Sequence, residues 1–193
     1  MELSKSGLNV TIIDKNFICK GASGVNAGTL TMHMTRAQLI PYAKKGWELW
    51  MSANKWLSKE IDVERKNGLC LAFTEDEERL LIERSKIRKK YGADIKIISR
   101  RETKKIDSNI NSNIKCAAFC EMDGYVSANQ TGYAYSRALK ENKVRIMENY
   151  EVNQIEYCDN NYVIIFKNGE KLISSTLIIA TGVYLEETLK LLD

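Results

Sequence analysis

Asp14 closes a short β-branched run, residues 8–13 (LNVTII), and an acid in that place is the first residue that could do chemistry. In a dinucleotide-binding βαβ unit the second strand ends in Asp or Glu, whose carboxylate accepts from ribose hydroxyls. Asp can equally end a strand because it favours turns. A small-residue segment follows, Gly21-Ala22-Ser23-Gly24-Val25-Asn26-Ala27-Gly28. Small residues let backbone amides close on an anion, and the Ser23 hydroxyl and Asn26 amide would add donors toward phosphate or ribitol oxygens. The same composition also builds a tight surface loop. Near the far end of the chain, residues 176–180 (TLIIA) run into Thr181-Gly182. A strand ending there would bring its backbone to the carboxyl edge of a parallel sheet, where nucleotides bind; the alternative is a plain strand-to-helix turn. His33, the sole histidine, lies just past the loop. With an ordinary pKa near ~6.5 it could accept a proton.

The elements that must position these residues are legible from pattern. Residues 2–7 read as the last turn of a helix closed by Gly7, and residues 8–13 as a buried parallel strand. A helix is expected over residues 41–59, with Pro41 in its first turn and Ala43, Trp47, Trp50, Met51 and Leu57 on one face. Residues 69–73 are a strand candidate. Thr74-Glu75-Asp76-Glu77 is a capping box opening a charged helix to about Tyr91, with Leu80, Ile87 and Tyr91 as its apolar stripe. A strand over 95–98, a second capping box at Ser99-Arg100-Arg101-Glu102 and a strand over 115–121 complete the middle third. A helix over 130–142 and a strand over 144–147 follow. Residues 151–157, 162–166 and 171–174 then form a three-strand meander whose last turn carries Asn168-Gly169. The run at 176–180 reads as a second buried parallel strand, leading into a closing helix.

Composition narrows the function classes. The 193 residues carry a net charge of only +4, spread along the chain, which does not point to nucleic acid. No apolar run approaches the ~20 residues of a membrane helix, and no secretory signal opens the chain. Cys116 and Cys120 are separated by three residues with no histidine nearby, so no metal site is expected. The five cysteines do not read as a disulfide framework, and a reducing cytoplasm is the default compartment.

In order, GLNVTIID, GASGVNAG, the DGYV segment with its helix, the meander and LIIATG resemble the FAD-dependent D-amino-acid oxidase superfamily, along nearly the whole chain. That superfamily includes glycine and sarcosine oxidases, hydrogen-cyanide synthase subunits and amino-acid dehydrogenases. The Ser23-x-x-Asn26-Ala27-Gly28 loop is the more specific part; the first and last motifs occur in many flavoproteins. The implied fold is α/β: a Rossmann-like FAD-binding domain of the glutathione-reductase type, with a β-meander, plus part of a mixed α+β substrate domain. The implied division gives residues 1–58 and 124–193 to the FAD-binding domain and residues 59–123 to the substrate part. No G-x-G-x-x-G occurs, although that turn belongs about 20 residues before the acid. The chain is therefore expected to be a fragment lacking the amino-terminal phosphate turn and the carboxyl-terminal half.

The resemblance implies FAD as cofactor and assigns residues to it. Asp14 would bind the adenosine ribose, where the family usually has Glu, and Lys15 would lie near the adenosine. Ser23, Asn26, Ala27 and Gly28 would line the pyrophosphate and ribityl chain. Val152 would meet the adenine through its backbone, and Ala180, Thr181 and Gly182 would approach the phosphates. The implied reaction is oxidation of the C–N bond of an amino acid or secondary amine by hydride transfer to flavin N5. His33 would pass near the flavin ring, but that chemistry needs no base if the amine arrives neutral. Two other readings stand beside it: a non-catalytic subunit piece that needs a partner chain, and an NAD-binding module, which has little use for the loop or the meander.

Overall fold

The computed structural model describes residues 1–57 and 61–192. In chain order its first elements are α1 (Glu2–Lys5), β1 (Thr11–Asp14), β2 (Thr29–Leu30), α2 (Ile40–Met51), β3 (Val63–Ala72), α3 (Glu75–Lys90) and β4 (Ile95–Ser99). Then come α4 (Arg100–Ile106), β5 (Cys116–Val126), α5 (Ala128–Glu141), β6 (Arg145–Glu148), β7 (Val152–Cys158), β8 (Asn161–Phe166), β9 (Lys171–Ser174) and α6 (Leu185–Leu189). They form two compact units, one of Met1–Ala22 with the chain from Ser136 onward, the other of Ser23–Tyr135. Packing draws its boundaries between Ala22 and Ser23 and between Tyr135 and Ser136. Residues 23–57 join the second unit because β2 pairs with β5 and Trp47 packs into the same core. Residues 58 and 59, at the expected boundary and helix end, lie outside the described residues.

In the first unit β1 runs parallel to β6, from Thr11 opposite Arg145 to Asp14 opposite Glu148. The helix end before it is local chemistry: Leu8 N donates to Leu3 O and Gly7 N to Ser4 O, with Gly7 at φ +86°. This double bond closes the last turn and demands a left-handed residue, hence glycine. β7, β8 and β9 make the antiparallel meander, and Gly169 at φ +83° forms its final turn. Met147, Ile164 and Phe166 centre the core, with Ile13, Val152 and Leu177 packed against them.

Two expectations fail here. The strand over 8–13 narrows to β1, whose residues are half-buried, because β6 covers one edge and no described strand pairs with the other. Residues 176–180 belong to no ladder among the described residues, and Ile178 is 66% exposed. Their apolar composition suits a buried strand, yet a strand exists only where a neighbour accepts and donates its backbone hydrogen bonds.

In the second unit β5 is central, with β3 antiparallel along one edge and β2 and β4 sharing the other. The expected strand over 115–121 therefore continues through Asp123-Gly124 to Val126, and the expected 69–73 strand begins at Val63. Met32, Ile40, Ile95, Ala118 and Cys120 form the core. Both capping boxes are present, at Thr74/Glu77 and Ser99/Glu102. The expected stripe of α3 is a correction: Leu80, Ile87 and Tyr91 are 44%, 40% and 42% exposed, while Ser85 is buried and Leu81 joins the core. α2 stops at Met51, short of the expected end. The Ser52 hydroxyl donates to Glu48 O and Leu49 O, and Trp56 Nε1 donates to Leu49 O, satisfying last-turn carbonyls that a longer helix would use.

Candidate flavin site

At the carboxyl end of β1 the backbone turns back on itself. Asp14 Oδ1 accepts from Asn16 N at 2.8 Å, an Asx turn that holds the carboxylate at the strand end. Asp14 O accepts from Tyr150 N at 3.1 Å and Asn16 O from Asn149 N at 2.8 Å, so the turns after β1 and β6 are tied together. Asp14 Oδ2 has no hydrogen-bond partner among the described residues, leaving an acceptor of the kind ribose hydroxyls use.

Glu148, opposite Asp14, was not singled out from the sequence, though it too ends a short apolar strand. Its Oε1 accepts from Ile18 N at 3.1 Å, which shapes the descent toward Ala22. Cys19, at φ +57°, has its thiol pushed up in pKa by burial and then by the Asp14 charge. Lys15 places Nζ 3.9 Å above the ring centre of Tyr184. Tyr184 N in turn donates to Thr181 O at 3.1 Å. Asp14, Lys15 and the turn carrying Thr181 and Gly182 are thus brought together on one edge of this unit. Ala180, Thr181 and Gly182 are exposed there, with Gly182 at φ +59°. Val152 sits two residues after Tyr150, half-buried against the core that Ile13 and Leu177 share.

The small-residue loop lies in the second unit. Asn26 is turned inward on the loop: Oδ1 accepts from Gly28 N and Nδ2 donates to Ser23 O, both at 2.8 Å. The Asn26 side chain sets the loop's curvature, and Ser23 and Ala27 stand exposed. Gly28 is buried at φ +70°, and a Cβ there would lie 1.9 Å from Val126 O. Only glycine permits this close approach to β5.

His33 is enclosed, its side chain 8% exposed, with Nε2 3.3 Å from Gly68 O. A carbonyl only accepts, so that contact holds a proton on Nε2. Among the described residues no group of three or more His, Cys, Asp or Glu is placed to hold a metal. No helix among them is long and apolar enough to cross a membrane.

In the first unit an acid with an open oxygen ends a parallel strand with a basic residue beside it; in the second, by itself, a close-packed glycine loop leads into β2. When known proteins are compared, a glycerol 3-phosphate dehydrogenase from Caloramator mitchellensis is 27% identical over 96% of this chain and 39% of its own length. Two solved structures share the fold. The FAD-bound, dithionite-reduced L-α-glycerophosphate oxidase of Mycoplasma pneumoniae has a TM-score of 0.89 at 24% identity, over 99% of this chain and 52% of that one. Glycine oxidase of Geobacillus kaustophilus has a TM-score of 0.85 at 23% identity, over 95% and 51%. The chain thus spans about half the length of these solved chains. The description "FAD dependent oxidoreductase" (DAO) matches residues 1–193, and the chain belongs to that family.

Proposed function

We propose that this chain contributes the FAD-holding part of an oxidoreductase that removes a hydride from a carbon bearing nitrogen or oxygen in a small polar substrate. The observation carrying this reading is the open Asp14 carboxylate at the end of β1, tied to the turn after β6, in a chain matched to the FAD family from end to end. On the first unit, Asp14 is assigned the ribose hydroxyls, Lys15 the adenosine side, Val152 the adenine through its backbone, and Ala180, Thr181 and Gly182 the phosphates. On the second, Ser23, Ala27 and Gly28 line the pyrophosphate and ribityl chain, while Asn26 holds the loop that presents them. Bound FAD supplies a hydride acceptor at N5; these residues bind and orient it. His33 is assigned no step here; its Nε2 faces the Gly68 carbonyl.

An amino acid or secondary amine is the substrate class we favour, in keeping with the loop pattern. Glycerol 3-phosphate is the second reading, supported by the names of the relatives at 27% identity and at TM-score 0.89. The test is FAD titration of the whole protein as its gene encodes it, followed by flavin reduction with glycine, sarcosine, other amino acids and glycerol 3-phosphate in turn. Asp14→Ala is expected to weaken FAD about tenfold. Unchanged affinity would remove Asp14 from the site, and a protein that takes up no FAD would refute the reading. A further possibility, a subunit piece acting with a partner chain, is favoured by the open edge of β1 and the unladdered residues 176–180. Co-purification of a stoichiometric second polypeptide would support it.

A further inference from the structure

We propose that Asp123 is a positioning residue for the flavin: its buried carboxylate anchors the segment by which the loop at residues 23–28 leaves for the core. This rests on the FAD reading above.

Asp123 is 6% exposed, on the central strand of its unit. Its Oδ1 accepts from Met32 N and its Oδ2 from the Thr31 hydroxyl, both at 2.9 Å. The Thr31 hydroxyl also accepts from His33 N at 3.1 Å, and Thr31 O accepts from the Thr35 hydroxyl at 2.9 Å. His33 Nε2 stands 3.9 Å from Oδ2. The backbone carbonyl of Asp123 is held as well, by Trp47 Nε1 at 3.2 Å.

Space for the carboxylate is made by a missing side chain. The β3–β5 register shifts between Lys66 and Gly68, and a Cβ on Gly68 would fall 1.8 Å from Asp123 Oδ2. β3 therefore carries both an irregularity and a glycine where the carboxylate sits.

A buried carboxylate is a poor choice for stability alone, since apolar packing of similar volume often does as well. What it supplies is direction, through two acceptors fixed toward two successive residues. That matters because β2 is short. Its ladder holds only Thr29 and Leu30, opposite Tyr125 and Gly124. Beyond Leu30 the strand pairing ends, and Asp123 becomes the acceptor for the next groups, the Thr31 hydroxyl and the Met32 amide. On the loop's downstream side, the anchors are thus the Val126 N to Gly28 O bond, this two-residue ladder and Asp123.

The test uses the whole protein as its gene encodes it, reading FAD affinity by flavin fluorescence and backbone order at residues 28–33 by amide hydrogen exchange. Asp123→Ala is expected to speed exchange at Met32 and weaken FAD about tenfold. Asp123→Asn keeps an oxygen for Met32 N and an amide for the Thr31 oxygen, so it should stay within about threefold of wild type. Gly68→Ala leaves the carboxylate chemically intact but displaces it, and should resemble Asp123→Ala. The double variant should be no worse than Asp123→Ala alone. Gly92→Ala, which lowers stability in the same unit far from the carboxylate in sequence, should leave FAD affinity unchanged, separating positioning from mere loss of stability.

The proposal is overturned if Asp123→Ala frees Met32 while FAD binds as in wild type, or if Asp123→Asn is as weak as Asp123→Ala. If Asp123→Ala fails to fold, Gly68→Ala and Asp123→Asn decide on the same criteria. Wild-type protein that takes up no FAD would instead refute the cofactor reading, and the proposal with it.

Discussion

Alanine at Gly28 sets a steric cost that can be worked from the coordinates. The residue is held at φ +70°, and an added Cβ would stand 1.9 Å from Val126 O, 3.0 Å from Val126 C and 3.1 Å from Tyr125 Cε2. The left-handed backbone alone costs an L-residue roughly 1–2 kcal/mol. The obstacle is backbone rather than the tip of a flexible side chain, so β5 must retreat. Retreat gives up the 2.9 Å bond from Val126 N to Gly28 O. That bond is worth about 1 kcal/mol, and loosening of buried Val126 adds about as much again. The sum is roughly 3–4 kcal/mol, a large share of a domain stability of ~5–15 kcal/mol. Gly92 is the control, at φ +98° with nothing within 4 Å of a Cβ, so Gly92→Ala meets only the left-handed cost. All three tryptophans, Trp47, Trp50 and Trp56, lie in the unit that contains both glycines. Tryptophan fluorescence during urea unfolding therefore reads the two variants on one probe. Gly28→Ala should lower the unfolding free energy at least twice as much as Gly92→Ala. Equal effects would refute the close approach of the loop to β5.

Further outcomes follow from the same geometry. Glu77 accepts from Phe73 N at 2.7 Å and Thr74 N at 3.1 Å, and these amides hold its carboxyl below the usual range. Its contribution to α3 is therefore present at neutral pH and is lost as pH falls below about 4.3 through the lower folded value. The urea midpoint of Glu77→Gln should approach that of wild type as pH drops through this window; a constant gap would refute the assignment. Cys158 is exposed, whereas Cys120 is fully buried with its thiol pushed up to about 11, chiefly by burial. A brief alkylation pulse read by mass spectrometry should mark Cys158 in the native protein and Cys120 only after unfolding; native labelling at Cys120 would contradict the core. Leu81→Ala should cost roughly 2–3 kcal/mol in urea unfolding and Ile87→Ala under about 1 kcal/mol, the reverse of the order expected from the sequence stripe.

The candidate site was legible where its signals were short-range. Asp14 could be placed at a strand end because five of the six residues before it are apolar or β-branched, and the loop could be picked out by composition. Glu148 and Tyr184 were missed: one is an ordinary acid in RIME, the other an ordinary aromatic after Thr-Gly, and each gains meaning only through a residue over 130 positions away. Asn26 is legible as a loop residue, but composition does not say that its amide will close the loop on itself. His33 is legible as the sole histidine, but its enclosure depends on Gly68 and Asp123, which arrive from elsewhere in the chain.

By itself, the sequence determined the features whose partners lie within about four residues: the glycine-closed helix before β1, both capping boxes and the Asn-Gly hairpin. These bonds close in small rings, so residue type and spacing suffice to specify them. Tertiary structure alone decided which face of α3 is buried, that residues 176–180 lack a ladder, and that β5 runs on to Val126 with a carboxylate at its heart. Burial and strand pairing depend on groups that arrive from elsewhere in the chain, and no local pattern records which group arrives.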